Sequence, residues 1–218
     1  MHGRVLIVVM NNGHGKPHPA FDQAAVRLAP GKHPKAPWVR FVTNTIPQLN
    51  DGRDAGSPNK PGWTVRQQTM DVVALMEYIG GMSSQGIALS SGRGRAPSLP
   101  IPAHYMFMED DFRLCPHGLI ALEYLLRKAY RQHRDWNMIR ISYGLVGGVM
   151  RGEDVPVLSK YMRDGYRRRP PDHLLVEWYA GETEESARHK NERPHFAFRH
   201  NLLEHFGTVS SLRQQNQG

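Results

Sequence analysis

The sequence predicts an α/β fold, a mixed sheet flanked by helices, and three observations point to it. A pure apolar run, Val5-Leu6-Ile7-Val8-Val9-Met10, ends in a glycine-rich turn and is followed by a helical segment and an alternating strand, "WVRFVTNT". A second passage from strand to helix, "HYMFMEDDFRLCPHG" at residues 104–118, carries three adjacent carboxylates, Glu109, Asp110 and Asp111. Of the 218 residues, 39% are hydrophobic, enough for one sizeable core and too few for two large independent domains. A single domain over residues 1–213 is therefore expected.

Each element follows from its local pattern. Residues 5–10 read as a buried strand, "AFDQAAVRLAPG" as a short helix stopped by Pro30-Gly31, and residues 38–45 as a second strand. Residues 48–62, dense in Gly, Pro, Asn and Asp, are expected as a flexible surface loop. Residues 64–78 place Val65, Met70, Val73, Leu75 and Met76 without an internal Gly or Pro, which predicts a helix with one buried face, capped by Thr64 and ended by Gly80-Gly81. Residues 81–103, a run of Ser, Gly, Pro and Arg, are expected as a second flexible loop ahead of a third strand at 105–108. Opened by Pro116, "PHGLIALEYLLRKAYRQH" sets Leu119, Leu122, Leu126 and Ala129 at helical spacing, with basic residues in its last turn. "WNMIRISYGLVGGVM" predicts one or two strands around a glycine-containing turn. "VPVLSKYMRDGYRRRP" predicts an amphipathic helix ending in Arg167-Arg168-Arg169, at least two of them on a solvated helix terminus, and stopped by Pro170-Pro171. "DHLLVEWYAG" reads as a short helix, residues 182–193 as a charged stretch, and "HFAFRHNLLEHFGTVSSLR" as a strand and a loop before a disordered tail at 214–218.

Composition narrows the function classes. The longest apolar run falls far short of the roughly 20 residues a membrane helix requires, and no small-residue cleavage site follows it, so neither an anchor nor a targeting signal is visible. Cys115 is the only cysteine, which excludes an intrachain disulfide and a cysteine-based zinc site and leaves a buried small residue as its expected role. The formal charge of +8 comes from 28 Lys and Arg, 21 of them Arg, against 20 Asp and Glu. Forked Arg donors suit phosphate, and an Arg-favouring codon usage gives the same excess. "GRGR" at 92–95 lacks the aromatic interleaving of an RNA-binding element, so no specific nucleic acid is expected. "NNGHGKPH" lacks the spacing of a phosphate loop.

Adjacent carboxylates at the end of a strand place hard oxygen ligands in the crevice where open α/β sheets bind ligands, and Mg²⁺ or Mn²⁺ would share such ligands with substrate phosphates. Local pattern alone also allows a solvated loop, or a cap for the helix ahead.

The surrounding segments are more specific. "RQQTMDVVALMEY" precedes the triplet, "DWNMIRIS" and "YGLVGG" follow it, then "RRRPPDHLL", and "FRHNLLEHFGTVSSL" closes the series. In this order the motifs resemble the N-acetylglucosaminyltransferase IV family over most of residues 66–212. The resemblance implies a GT-A, Rossmann-like glycosyltransferase that inverts the anomeric carbon as it adds β1,4-linked GlcNAc to an α1,3-mannose arm of N-glycans. It implies UDP-GlcNAc as donor, a glycan or glycoprotein acceptor, a divalent cation, usually Mn²⁺, and the Golgi as compartment. Carried onto matching positions, it implies that Glu109 faces the ribose or uridine side of the donor, Asp110 supports the site directly or through water, and Asp111 coordinates the metal. His205 would complete that coordination, and Asp172 would be the general base. Read locally, His205 is also a hydrogen-bonded structural histidine, and Asp172, after two prolines, a helix N-cap. The related transferase that adds GalNAc to the GPI-anchor glycan shares the acidic motif and stays open as an alternative, as does a catalytically silent glycan-binding or scaffold relative. Family members carry another strand and loop ahead of the region that residues 5–10 resemble, so the fold is expected to lack the family's first strand. The segment after Trp178 is also shorter than in the animal enzymes.

Overall fold

The structure, a computed structural model, describes residues 5–28, 39–57, 60–81, 87–89 and 102–206. They gather into two compact units, Met1–Gly52 with Met70–Ile101, and Arg53–Thr69 with Pro102–Gly218. The single domain expected over 1–213 drew no such internal division.

The first unit is a small mixed sheet with helices on both faces. Strand β1 (Ile7–Asn11) pairs in parallel with β2 (Val39–Asn44), and β5 (Ile87–Leu89) joins β2 in the antiparallel sense. Alternation along β2 sorts its side chains by face. Val39 and Phe41 pack with Phe21 and Ala25 of helix α1 (Pro19–Leu28), where the Phe21 and Phe41 rings meet edge to face at 5.4 Å. Val42 packs instead with Tyr78 and Ile79 of helix α2 (Trp63–Ile79). After β1, the His14 ring lies between the Ile46 carbonyl at 2.7 Å and the Asp71 carboxylate at 3.2 Å, so the "NNGHG" turn serves packing within this unit.

The second unit begins with a two-stranded hairpin, β3 (Gly56–Ser57) and β4 (Lys60–Pro61), held by Arg66, which donates to the Pro61 carbonyl at 2.9 Å and to Asp54 at 2.6 Å. Its main sheet has the order β10-β8-β9-β6, built from β6 (His104–Met106), β8 (Met138–Arg140), β9 (Gly148–Arg151) and β10 (His195–Ala197). Strands β8 and β10 pair in parallel, and both β8 and β6 run antiparallel to β9. The C-terminal ends of β6, β8 and β10 therefore share one sheet edge. Helix α3 (Gly118–Gln132) lays Leu122, Leu125, Leu126 and Ala129 on Trp136, Ile139, Ile141 and Val149. Helices α4 (Val155–Gly165) and α5 (Pro171–Ala180) pack together, with Leu158, Met162, Leu174, Leu175 and Trp178 at most 1% exposed. A Cβ at Gly148 would meet Leu175 at 3.3 Å and Met138 at 3.8 Å, which places α5 on the face opposite α3.

Several expectations change. The loop expected at 81–103 contains β5, and within the one at 48–62 the two-residue strands β3 and β4 pair. Thr64 lies inside α2, which starts at Trp63, and so does not cap it. The charged stretch 182–193 forms helix α6 (Glu184–Lys190), opened by a capping box in which Thr183 and Ser186 bond each other's backbone N–H. Cys115 is only half buried. The triplet does not lead directly into a helix, because β7 (Phe112–Leu114) intervenes and pairs antiparallel with β11 (Leu203–His205). Residues 92–95 and the tail 214–218 lie outside the described residues. Among the described residues no helix is long and apolar enough to cross a membrane.

Candidate functional site

The triplet sits at the shared sheet edge. Beyond β6 the chain stays tied to the turn between β8 and β9, since Gly147 donates to the Phe107 carbonyl at 2.8 Å, and it then bends so that the Phe112 N–H meets the Glu109 carbonyl at 3.4 Å. Glu109, Asp110 and Asp111 occupy this bend between two strands.

The pairing of β7 with β11 brings in the distant histidine. Register places His205 opposite Phe112, and their rings lie 4.9 Å apart. The Phe206 N–H donates to the Asp111 carbonyl at 2.9 Å, which extends the ladder past the strand. In consequence His205 Nε2 lies 3.0 Å from Asp111 Oδ2. The other carboxylate oxygen, Asp111 Oδ1, is buried and has no hydrogen-bond partner. A buried carboxylate oxygen without a donor is costly, so this atom is suited to a cation or a donor from outside the chain.

Asp172 arrives from the helical side. It is in the first turn of α5, whose N-cap position belongs to Pro170, so the capping role allowed by the sequence is not the one it fills. Its carboxylate keeps 46% exposure, 4.0 Å from His173 Nε2. The 141–147 turn comes close to it: a Cβ on Gly144 would lie 3.6 Å from the Asp172 Cβ.

Electrostatics joins all five residues. Partial burial first, then the negative charges of Asp111, Asp110 and Asp172, push the Glu109 carboxyl above the ordinary carboxylate value, while His205 pulls it the other way. The Glu109 carboxyl therefore ionises more readily when positive charge enters beside it. Among the described residues no group of three or more His, Cys, Asp or Glu side chains has metal-holding geometry. A hard cation needs only one or two protein carboxylates when substrate phosphates and water supply the rest, so the orphaned oxygen of Asp111 and the ring of His205 fit the implied metal.

The Arg run takes another role. Arg168 and Arg169 both engage Glu177, which is 1% exposed in the middle of α5, and Arg169 also reaches Glu182 at 3.3 Å. Glu177 is further bonded by the Tyr161 hydroxyl. These two arginines neutralise a buried carboxylate while their own side chains stay 46% and 45% exposed. Sequence reasoning also passed over Tyr143, which stands 79% exposed beside Gly144; its only signal was an aromatic residue set between Ser142 and a glycine.

Fold and site define the class: a mixed α/β protein with a cluster of carboxylates and one histidine at the C-terminal edge of a sheet. Compared with family models, with curated proteins and with solved structures, the chain finds no match.

Proposed function

We propose that the chain is a metal-dependent inverting glycosyltransferase of the GT-A type, similar to the N-acetylglucosaminyltransferase IV enzymes, moving GlcNAc from UDP-GlcNAc to a mannose-containing glycan. The observation that carries the reading is the meeting of Asp111 and His205, 94 residues apart in sequence, at 3.0 Å. Five residues chosen from motif order also fall within one electrostatic neighbourhood. The Golgi as compartment and a glycoprotein as acceptor follow from the resemblance and belong to the proposal.

Asp111, through Oδ1, and His205, through a neutral ring nitrogen, are the residues that would hold the cation. When bound, it supplies positive charge against the departing diphosphate. Glu109, in its ionised form, accepts hydrogen bonds from the donor ribose, and Asp110 supports that end of the bend. Asp172 takes the proton of the acceptor hydroxyl as that oxygen bonds to the anomeric carbon. The bond from that carbon to the UDP oxygen breaks on the opposite face, which inverts the configuration and leaves UDP with the electron pair.

The test is turnover of a panel of UDP-sugars, with and without Mn²⁺, in the presence of a mannose-terminated N-glycan. Transfer from UDP-GlcNAc is expected to require Mn²⁺ and to slow by about 100-fold or more in Asp172→Asn. Preference for UDP-GalNAc would move the assignment to the GPI-glycan type of transferase. No Mn²⁺-dependent turnover of any UDP-sugar would refute it.

A further inference from the structure

We propose that the 141–147 turn is the acceptor platform of this site, with the ring of Tyr143 as the surface on which a pyranose ring of the acceptor stacks. The proposal rests on the transferase reading above and assigns the place of its second substrate.

A pyranose presents two chemistries at once, a C–H face and a rim of hydroxyls. It is bound well where an exposed aromatic ring adjoins fixed polar groups. Tyr143 is 79% exposed, ahead of the next large hydrophobic side chain described, Ile120 at 67%. Single exposed apolar residues are ordinary, so the case depends on where this one stands and on how firmly it is held.

The turn is anchored on both sides. Ile141 donates to the Gly147 carbonyl at 3.1 Å and Gly148 to the Leu145 carbonyl at 3.4 Å. Leu145 and Val146 are buried, at 6% and 4% exposure. The left-handed Gly144 (φ 62°) and Gly147 (φ 75°) give the chain a tight path that other residues adopt only with strain. Tyr143 therefore projects from a fixed backbone, and little ordering is needed when a ligand meets it.

Position selects the acceptor over the donor. Apolar side chains flank the acidic cluster at three points: Met108, 46% exposed, precedes Glu109; Phe206, 55% exposed, follows His205; and Tyr143 precedes Gly144. Met108 and Phe206 adjoin the residues assigned to donor and metal. Tyr143 instead adjoins Gly144, whose missing Cβ would sit 3.6 Å from the Cβ of Asp172. The group that takes the acceptor proton must have the acceptor ring beside it, and Tyr143 is the exposed aromatic at that place.

The experiment is calorimetric titration of the full chain with a mannose-terminated N-glycan oligosaccharide, and separately with UMP, each with and without Mn²⁺ and UDP. Tyr143→Ala is expected to weaken glycan binding by about 10-fold, or about 1.4 kcal/mol, and Tyr143→Phe to retain it. The unfolding midpoint should stay in place, since the ring is mostly in water. Wild-type protein that binds no glycan, or Tyr143→Ala that binds it as wild type does, overturns the platform. So does a loss confined to UMP, which would make the ring a seat for the uracil. Tyr143-dependent glycan binding in a protein that turns over no UDP-sugar would leave the platform standing and remove the transferase reading, whereas donor turnover with glycan binding indifferent to Tyr143 would do the reverse.

Discussion

Replacing Asp111 with Asn distinguishes a metal ligand from a surface ion pair, because the two roles predict effects of different size. The Asp111 and His205 side chains are 36% and 52% exposed and 3.0 Å apart. An ion pair this open to water contributes about 0–1 kcal/mol. In a chain of 218 residues, about 1 kcal/mol moves the unfolding midpoint by about 2–4 °C. Without added metal, Asp111→Asn should therefore lower the midpoint by less than about 4 °C, and less again because one of the charges crowding Glu109 is gone. A cation at 100 times its dissociation constant stabilises the folded state by about 2.7 kcal/mol, or about 5–10 °C on the same scale. Scanning calorimetry with and without MnCl₂ reads both quantities. Mn²⁺ should raise the wild-type midpoint by that larger amount and move Asp111→Asn little. An equal gain in both proteins, or none in the wild type, would refute the assignment of Asp111 as ligand.

The gain should also rise with pH, and its sign follows from Glu109. Its folded value is raised, so its contribution to stability is complete below the unfolded value and is lost as pH climbs through the folded one. A cation beside Glu109 favours its ionised form, so metal binding and release of that proton support each other. The stabilisation by Mn²⁺ should accordingly grow as pH climbs from the ordinary carboxylate range through the raised Glu109 value, while the metal-free protein loses the Glu109 contribution over the same interval.

Two further outcomes test the scaffold. Asp154, 4% exposed, receives Arg193 at 2.9 Å and His189 at 3.1 Å, so Asp154→Ala takes from the Arg193 guanidinium its shortest carboxylate contact, leaving it Asp135 at 3.6 Å and the His189 carbonyl at 3.0 Å, and should cost about 1.5–3 kcal/mol in urea unfolding. Burial raises the Asp154 carboxyl, but hydrogen bonds from His189 and Arg193 and the charges of Arg193 and Arg151 outweigh it and hold the group below its usual 3.8. Its contribution is thus present above that value and lost as pH falls through the lower folded one, and the gap between wild type and variant should close in strong acid. Gly147→Ala would place a Cβ 2.8 Å from the Ser142 Cβ and 3.0 Å from Ile141 Cγ1 in a left-handed backbone. It should cost about 1–3 kcal/mol and raise the acceptor KM with it, and a variant as stable as wild type would show that the turn is not held as described.

The parts of the fold legible in the sequence are those whose pattern is local. Helix α3 could be read because Leu122, Leu126 and Ala129 recur at one turn's spacing and meet the sheet, although Leu119, read with them, stands 54% exposed. Strand β7 could not. Three residues are too few to show alternation, and what makes them a strand is a partner 89 to 93 positions away, marked on the surface by Arg113 bonding Glu204 at 2.9 Å. Helix α6 stayed hidden for a related reason: seven residues with no apolar stripe, started by a capping box that uses Ser186 where a Glu or Gln is the usual signal. The Arg run looked like solvated charge because nothing in "DHLLVEWYAG" indicates that its single Glu is the buried one. Only the packing of α4 against α5 turns Glu177 inward, and that in turn requires the arginines.

The candidate site followed the same logic with a different result. Locally, Glu109 to Asp111, His205 and Asp172 each had an ordinary structural role available, and only the order of motifs suggested that they act together. The geometry removes two of those roles, since β7 separates the triplet from the helix that local pattern allowed it to cap, and Pro170 takes the cap position allowed to Asp172. Sites assembled from a strand end, a turn, a helix start and a returning strand carry no local signature, because each segment's pattern is already accounted for by its part in the scaffold. What marks the site is what the scaffold leaves over: a carboxylate oxygen of Asp111 with no donor, a Glu109 carboxyl resisting ionisation, and a tyrosine ring in water. All three fall at the ends of β6 and β8, on one edge of one sheet. Folding alone gains nothing from gathering them there, and a ligand with a charged end and an apolar face would satisfy all three together.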